Sequence, residues 1–139
     1  MFQPDTFVVV ADGQQARFYA AEADLSELRE LRHLSNRHHG GEHRSHKGGG
    51  HDAHHHPEEE RFAREVGQEV DDAMRETTWR DLVLVAPPRF LGDLRDHLPQ
   101  GASKRVRASI ARDLTAETGN KLAKHLRDLL ADQHLDAKH

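Results

Sequence analysis

Two uninterrupted apolar runs, TFVVVA at Thr6 to Ala11 and DLVLVA at Asp81 to Ala86, constrain this chain most. Neither alternates with polar residues, so each needs cover on both faces, as the central strands of a layered sheet have. Between them Phe62, Val66, Val70, Ala73 and Met74 recur at helical spacing and draw one apolar stripe. A buried strand, an amphipathic helix and a second buried strand imply a crossover, and therefore a parallel pair.

The other elements arrange themselves around that unit. Asp12-Gly13 is a turn signal, and Gln15 to Glu22 alternates Ala16, Phe18 and Ala20 with Arg17 and Tyr19, as an antiparallel hairpin partner would. A third strand of the meander is expected around Leu31 to Leu34. Pro57 followed by Glu58-Glu59-Glu60 marks a helix start, because proline suits the first turn and carboxylates complement its dipole. Trp79 is expected to cover the end of the helix stripe. Pro87-Pro88 ends the second apolar strand and opens a helix with Phe90, Leu91, Leu94 and Leu98 inward, and Pro99-Gln100-Gly101 ends that helix. Lys104 to Arg112 reads as a half-exposed strand with Val106, Ala108 and Ile110 on one side. Thr115 is the expected cap of a last helix, whose inner face is Leu122, Leu126, Leu129 and Leu130. The order β-β-β-loop-α-β-α-β-α predicts a single α/β domain over residues 1–134, with a tail from 135 to 139 that frays. Its mixed sheet has about five strands with about three helices, in a ribonuclease-H-like arrangement.

At 139 residues, 35% of them hydrophobic and 32% charged, the chain supports one modest core and a well-solvated surface. It contains no Cys, which excludes disulfides, thiolate metal sites and thiol catalysis. No apolar run reaches the roughly 20 residues of a membrane span, and the strand-like N-terminus has no basic leader, so a cytoplasmic location is expected. No membrane or DNA partner is implied. The net charge of −4 is unevenly spread. Residues 58–76 are strongly acidic, whereas Lys104, Arg105, Arg107, Arg112, Lys121, Lys124 and Arg127 make the last third basic, a pattern suited to phosphate.

The stretch from Asn36 to His56, NRHHGGEHRSHKGGGHDAHHH, stands apart. It has Gly40, Gly41 and Gly48 to Gly50 and no aliphatic residue larger than Ala53, so it cannot bury enough apolar surface to offset the entropy of ordering. An exposed, mobile loop is expected at 36–56. Its imidazoles, among them His38, His39, His43, His54, His55 and His56, are potential ligands for weak, adventitious Zn, Ni or Cu. The spacings give many chelates and no unique one, so no resident cofactor is expected. A two-metal hydrolase needs converging carboxylates. Asp12 and Asp81 fall at opposite ends of their strands, and no quartet emerges. Arg89, after Pro87-Pro88 at the end of a parallel strand and the start of a helix, is a candidate anion contact.

Taken together, FVVVADGQQARFY, EEERFAREV, LVLVAPPRFLGDLRDHLP and ASIARDLT resemble the bacterial host-attachment protein family over most of the chain outside the His-rich loop and the last helix. That family is similar in turn to the central domain of archaeal and eukaryotic class-one peptide-chain release factors and to Pelota. In those factors a Gly-Gly-Gln loop precedes a helix that begins with an Arg-Phe-Ala-Arg-like sequence, and the loop enters the peptidyl-transferase centre. Here Arg61-Phe62-Ala63-Arg64 matches the helix start, and Gly40-Gly41-Glu42 occupies the loop without the glutamine amide. The resemblance therefore implies the position of the loop and not the reaction. It points to a non-enzymatic module that binds the ribosome or tRNA. Arg37, Arg44, Lys47, Arg61 and Arg64 would be the nucleic-acid contacts, with Arg105 and Arg107 as a secondary patch. The alternatives from other classes are an interaction or regulatory protein of cell attachment with a metal-binding loop, and peptidyl-tRNA hydrolysis through the degenerate Gly-Gly-Glu.

Overall fold

Every residue of the first apolar run is buried, and its side chains divide between two layers. In strand β1 (Thr6–Ala11), Phe7, Val9 and Ala11 enter one core, while Val8 and Val10 enter another on the opposite face. Strand β4 (Asp81–Ala86) does the same, with Leu82, Leu84 and Ala86 on the first face and Val83 and Val85 on the second. This double burial is why neither run alternates with polar residues. The computed structural model describes residues 1–36 and 57–137, with side chains as far as residue 132.

β1 and β4 are parallel neighbours, as the crossover argument requires, with Val8 opposite Val83 and Val10 opposite Val85. β2 (Gln15–Ala21) pairs antiparallel with β1, and β3 (Leu28–Ser35) antiparallel with β2. β5 (Val106–Ala111) is parallel to β4 and completes a mixed five-stranded sheet of order β3-β2-β1-β4-β5. Strand order and directions are consistent with the ribonuclease-H-like arrangement. Helices α1 (Pro57–Glu76) and α2 (Pro88–Asp96) cover the first face through Phe62, Val66, Val70, Phe90 and Leu94. Helix α4 (Gly119–Ala137) covers the second through Leu122 and Leu126, with Leu129 and Leu130 packed beside them. Trp79 is buried against Phe7, their ring centroids 5.1 Å apart.

Four expectations need correction. Gln100–Ser103, expected as the stop after the second helix, winds into a short helix of its own, α3, that buries Ala102; the helices among the described residues are therefore four, not three. The third strand runs from Leu28 to Ser35, well beyond Leu31 to Leu34, because it pairs along the whole of β2 while its side chains stay mostly exposed. The last strand is shorter than Lys104 to Arg112, and a register shift at Arg107 interrupts it. That extra residue places Val106 against the first core and Ile110 in the second, so the two do not share a side. Thr115 does not cap the last helix, which begins at Gly119 in the left-handed region. The last helix continues to Ala137, and residues 138–139 lie outside the described residues.

Candidate functional site

The carboxyl ends of β1, β4 and β5 lie along one edge of the sheet, and the chain converges there several times. Asp12, the first residue after β1, accepts backbone N–H bonds from Gln14 and Gln15 at 2.8 and 2.9 Å, which fixes the hairpin turn. Its other carboxylate oxygen lies 3.0 Å from Thr115 Oγ1. That hydroxyl is also 2.7 Å from Asp113 Oδ1, so its single proton serves two carboxylates. Arg17 reaches across from β2 and donates to the Thr115 carbonyl at 2.9 Å. Buried Thr115 therefore ties the segment after β5 to the turn after β1.

The same edge holds both borders of the His- and Gly-rich segment. Asn36 is buried; its backbone N–H donates to Gln14 O at 2.8 Å, and its side-chain amide donates to Gly13 O at 2.9 Å and Glu58 O at 3.2 Å. One side chain thus joins the end of β3, the β1–β2 turn and the first turn of α1. Gly13 admits this closeness, because a Cβ there would meet the Glu59 side chain at 2.6 Å. The residues on either side of the segment, Asn36 and Glu58, thus meet in one hydrogen-bonded junction. Arg37, His38, His39, Gly40, Gly41, Glu42, His43, Arg44, Lys47, His54, His55 and His56 lie outside the described residues.

The described candidate cations fall at two separate places. Arg61 and Arg64 project from the first half of α1 on an exposed face, while Phe62 and Ala63 between them are fully buried. The Arg-Phe-Ala-Arg sequence is thus an apolar anchor between two outward guanidinium groups. Arg64 is 3.9 Å from Glu60, and Arg61 has no partner among the described residues. Arg89 is exposed in the first turn of α2, on the same carboxyl edge. Arg105 and Arg107 sit at the opposite, amino edge of the sheet. Arg105 Nη1 is 3.7 Å from Met74 Sδ, and Arg107 donates to Ala23 O at 2.9 Å. Arg127 of α4 donates to Leu25 O at the same turn. These bonds secure Leu25, a buried core residue held at φ 56°.

Asn36, Asp12 and Thr115 are the positions that sequence reasoning undervalued. The Asp-Gly pair signalled its turn, but a bond between residues 12 and 115 has no local signature. Among the described residues, no group of three or more His, Asp or Glu side chains is placed to hold a metal ion. Nor, among them, is any helix long and apolar enough to cross a membrane. No curated protein matches the chain significantly. Residues 7–126 match the family described as "Protein required for attachment to host cells", and with most of its length covered the chain belongs to that host-attachment family.

Proposed function

We propose that this host-attachment family protein acts by binding, with ribosomal or transfer RNA as its target and the segment between Asn36 and Pro57 as the contacting element. The observation that carries the reading is the Asn36 junction, which holds both borders of a basic, His-rich stretch on one edge of a well-packed sheet. Arg37, Arg44 and Lys47 supply phosphate contacts from the segment, and the outward pair Arg61 and Arg64 adds two cations on the otherwise acidic first half of α1. Arg89, on the same edge, adds a further anion contact. The resemblance of Arg61-Phe62-Ala63-Arg64 to the helix start of release-factor central domains supports this reading, because the segment precedes that helix here as well. Glu42 in place of the glutamine removes the amide, so peptidyl-tRNA hydrolysis is not assigned to it.

Sedimentation with purified ribosomes at low and moderate salt tests this. Co-sedimentation is expected at low salt, to weaken as salt rises, and to be lost when Arg37, Arg44 and Lys47 are replaced together by Ala. Binding that ignores salt and this triple substitution would remove the RNA assignment. Family membership favours a second reading, in which the chain is a regulatory or interaction protein of attachment and the His residues tune a contact through bound metal. Recovery of the protein in a cell-surface fraction would favour that reading; recovery only in the cytosol would oppose it.

A further inference from the structure

The first layer of the fold is not closed along its whole length. Between edge strand β3 and the C-terminal half of α1 lies a groove of about 610 Å³. Its floor is aromatic: Phe7 stacks on Phe18 with centroids 5.9 Å apart and leans on Trp79, whose indole nitrogen is buried with no partner among the described residues. On the strand side stand Arg32 and Leu31. Leu31 is the extra residue of a bulge, left out of register between the pairs Phe18–Arg32 and Tyr19–Glu30, and it is 53% exposed. A large apolar side chain at that exposure beside an aromatic floor extends the apolar surface to the rim.

The opposite wall is acidic. Glu69, Asp72 and Glu76 are three and four residues apart on α1 and therefore share a face. Arg32 pairs with Glu69 at 3.2 Å, whereas Asp72 receives only the Gln68 amide at 3.1 Å and Glu76 has no partner among the described residues. Three carboxylates against one guanidinium leave two negative charges over an apolar floor. A third feature is independent of both. β3 is the outermost strand, so among the described residues the N–H and C=O groups along its free side have no ladder partner, and an extended chain can add there beside the bulge at Leu31.

We propose that this groove and strand edge bind an extended segment of a partner protein that carries an apolar and a basic side chain two residues apart. Two-residue spacing puts both side chains on the groove face of an added strand. The main chain of the segment pairs with β3, the apolar side chain covers exposed Leu31 at the rim above the buried aromatic floor, and the cation meets Asp72 and Glu76. This surface is distinct from the edge that bears Asn36, and the inference does not depend on the RNA reading.

The chain's one tryptophan lies in the groove and reports on it directly. The probe is a short threonine-rich peptide with one phenylalanine flanked two residues away on either side by lysine, and its control has glutamate in place of lysine. Added to the full-length protein, the lysine peptide should shift Trp79 fluorescence saturably and bind roughly tenfold or more tightly than the control. Asp72→Lys with Glu76→Lys, two exposed positions whose exchange leaves the core intact, should reverse that preference. Equal affinity for both peptides, an unreversed preference in the double variant, or no fluorescence and no calorimetric response to either peptide would overturn the proposal. So would a stable dimer, seen by sedimentation, that the lysine peptide fails to disperse, since a second copy would then occupy the edge.

Discussion

Gly67 sits where α1 passes over the backbone beyond α2, and a Cβ at this position would stand 2.5 Å from the His97 carbonyl oxygen. Alanine there is favoured by helix propensity by about 1 kcal/mol. The opposing overlap is with backbone, not with a movable side chain, and forced overpacking of this kind costs about 1–3 kcal/mol. Gly67→Ala is therefore expected to lower the melting temperature by a few degrees; a rise would show that the His97 turn yields. Thr115 offers the complementary case, where a buried hydroxyl serves Asp12 and Asp113 together. Thr115→Val keeps the shape and removes the hydroxyl that bridges those two carboxylates, and a loss of about 1–2 kcal/mol is expected in urea unfolding. Tyr19 introduces a pH dependence. Burial, reinforced by the charge of Glu30 and opposed by Arg17, raises its phenol above the ordinary value of 10.0. An acid whose folded pKa is raised adds stability that is complete below the unfolded pKa and is lost as pH climbs past it. Stability should accordingly fall above about pH 10, and Tyr19→Phe should flatten that fall.

At the scale of elements, what could be read from the sequence was what burial writes into it. β1, β4, α1, α2 and the inner face of α4 each bury a periodic or continuous apolar set, and that set marks each of them in the sequence. β3 reads short in the sequence because its side chains are mostly exposed and its strand conformation comes from pairing with β2. The bulges at Leu31 and Arg107 left no mark on the pattern, since an extra residue changes the facing of its neighbours without changing their chemistry. Thr115 looked like a helix cap because Ser and Thr favour both caps and side-chain bonds to loops; here a tertiary partner, Asp12, claimed it. Arg107 lies at the amino edge of the sheet, away from Asn36, and donates to Ala23 O. Arg107→Ala should consequently lower stability by about 1 kcal/mol and leave ribosome binding unchanged, which parallel melting and sedimentation experiments would check. The candidate segment was evident from composition alone, but the Asn36 clasp was not, because its partners, Gly13 and Glu58, are distant in sequence.

For the molecule as a whole, the consequence of that clasp is that the twenty residues between Asn36 and Pro57 are bordered by groups already in hydrogen-bond contact. The two cores on either side of the sheet draw on residues before and after the segment, and Asn36 bonds to Gly13, Gln14 and Glu58. Folding then has to bring together ends separated by the segment, at an entropic cost that grows by about 0.6 kcal/mol for each doubling of its length. Replacing residues 38–56 by a linker of about four glycine and serine residues shortens the connection by about two doublings, so a gain of about 1 kcal/mol is expected. The same variant should lose ribosome association if the segment is the contacting element, which separates binding from stability in a single protein. Thermal melting gives the first quantity and sedimentation the second. A shortened protein that melts well below the parent would show that the segment packs on the domain and contributes to it, and the assignment of this stretch as a presented binding element would then have to be withdrawn.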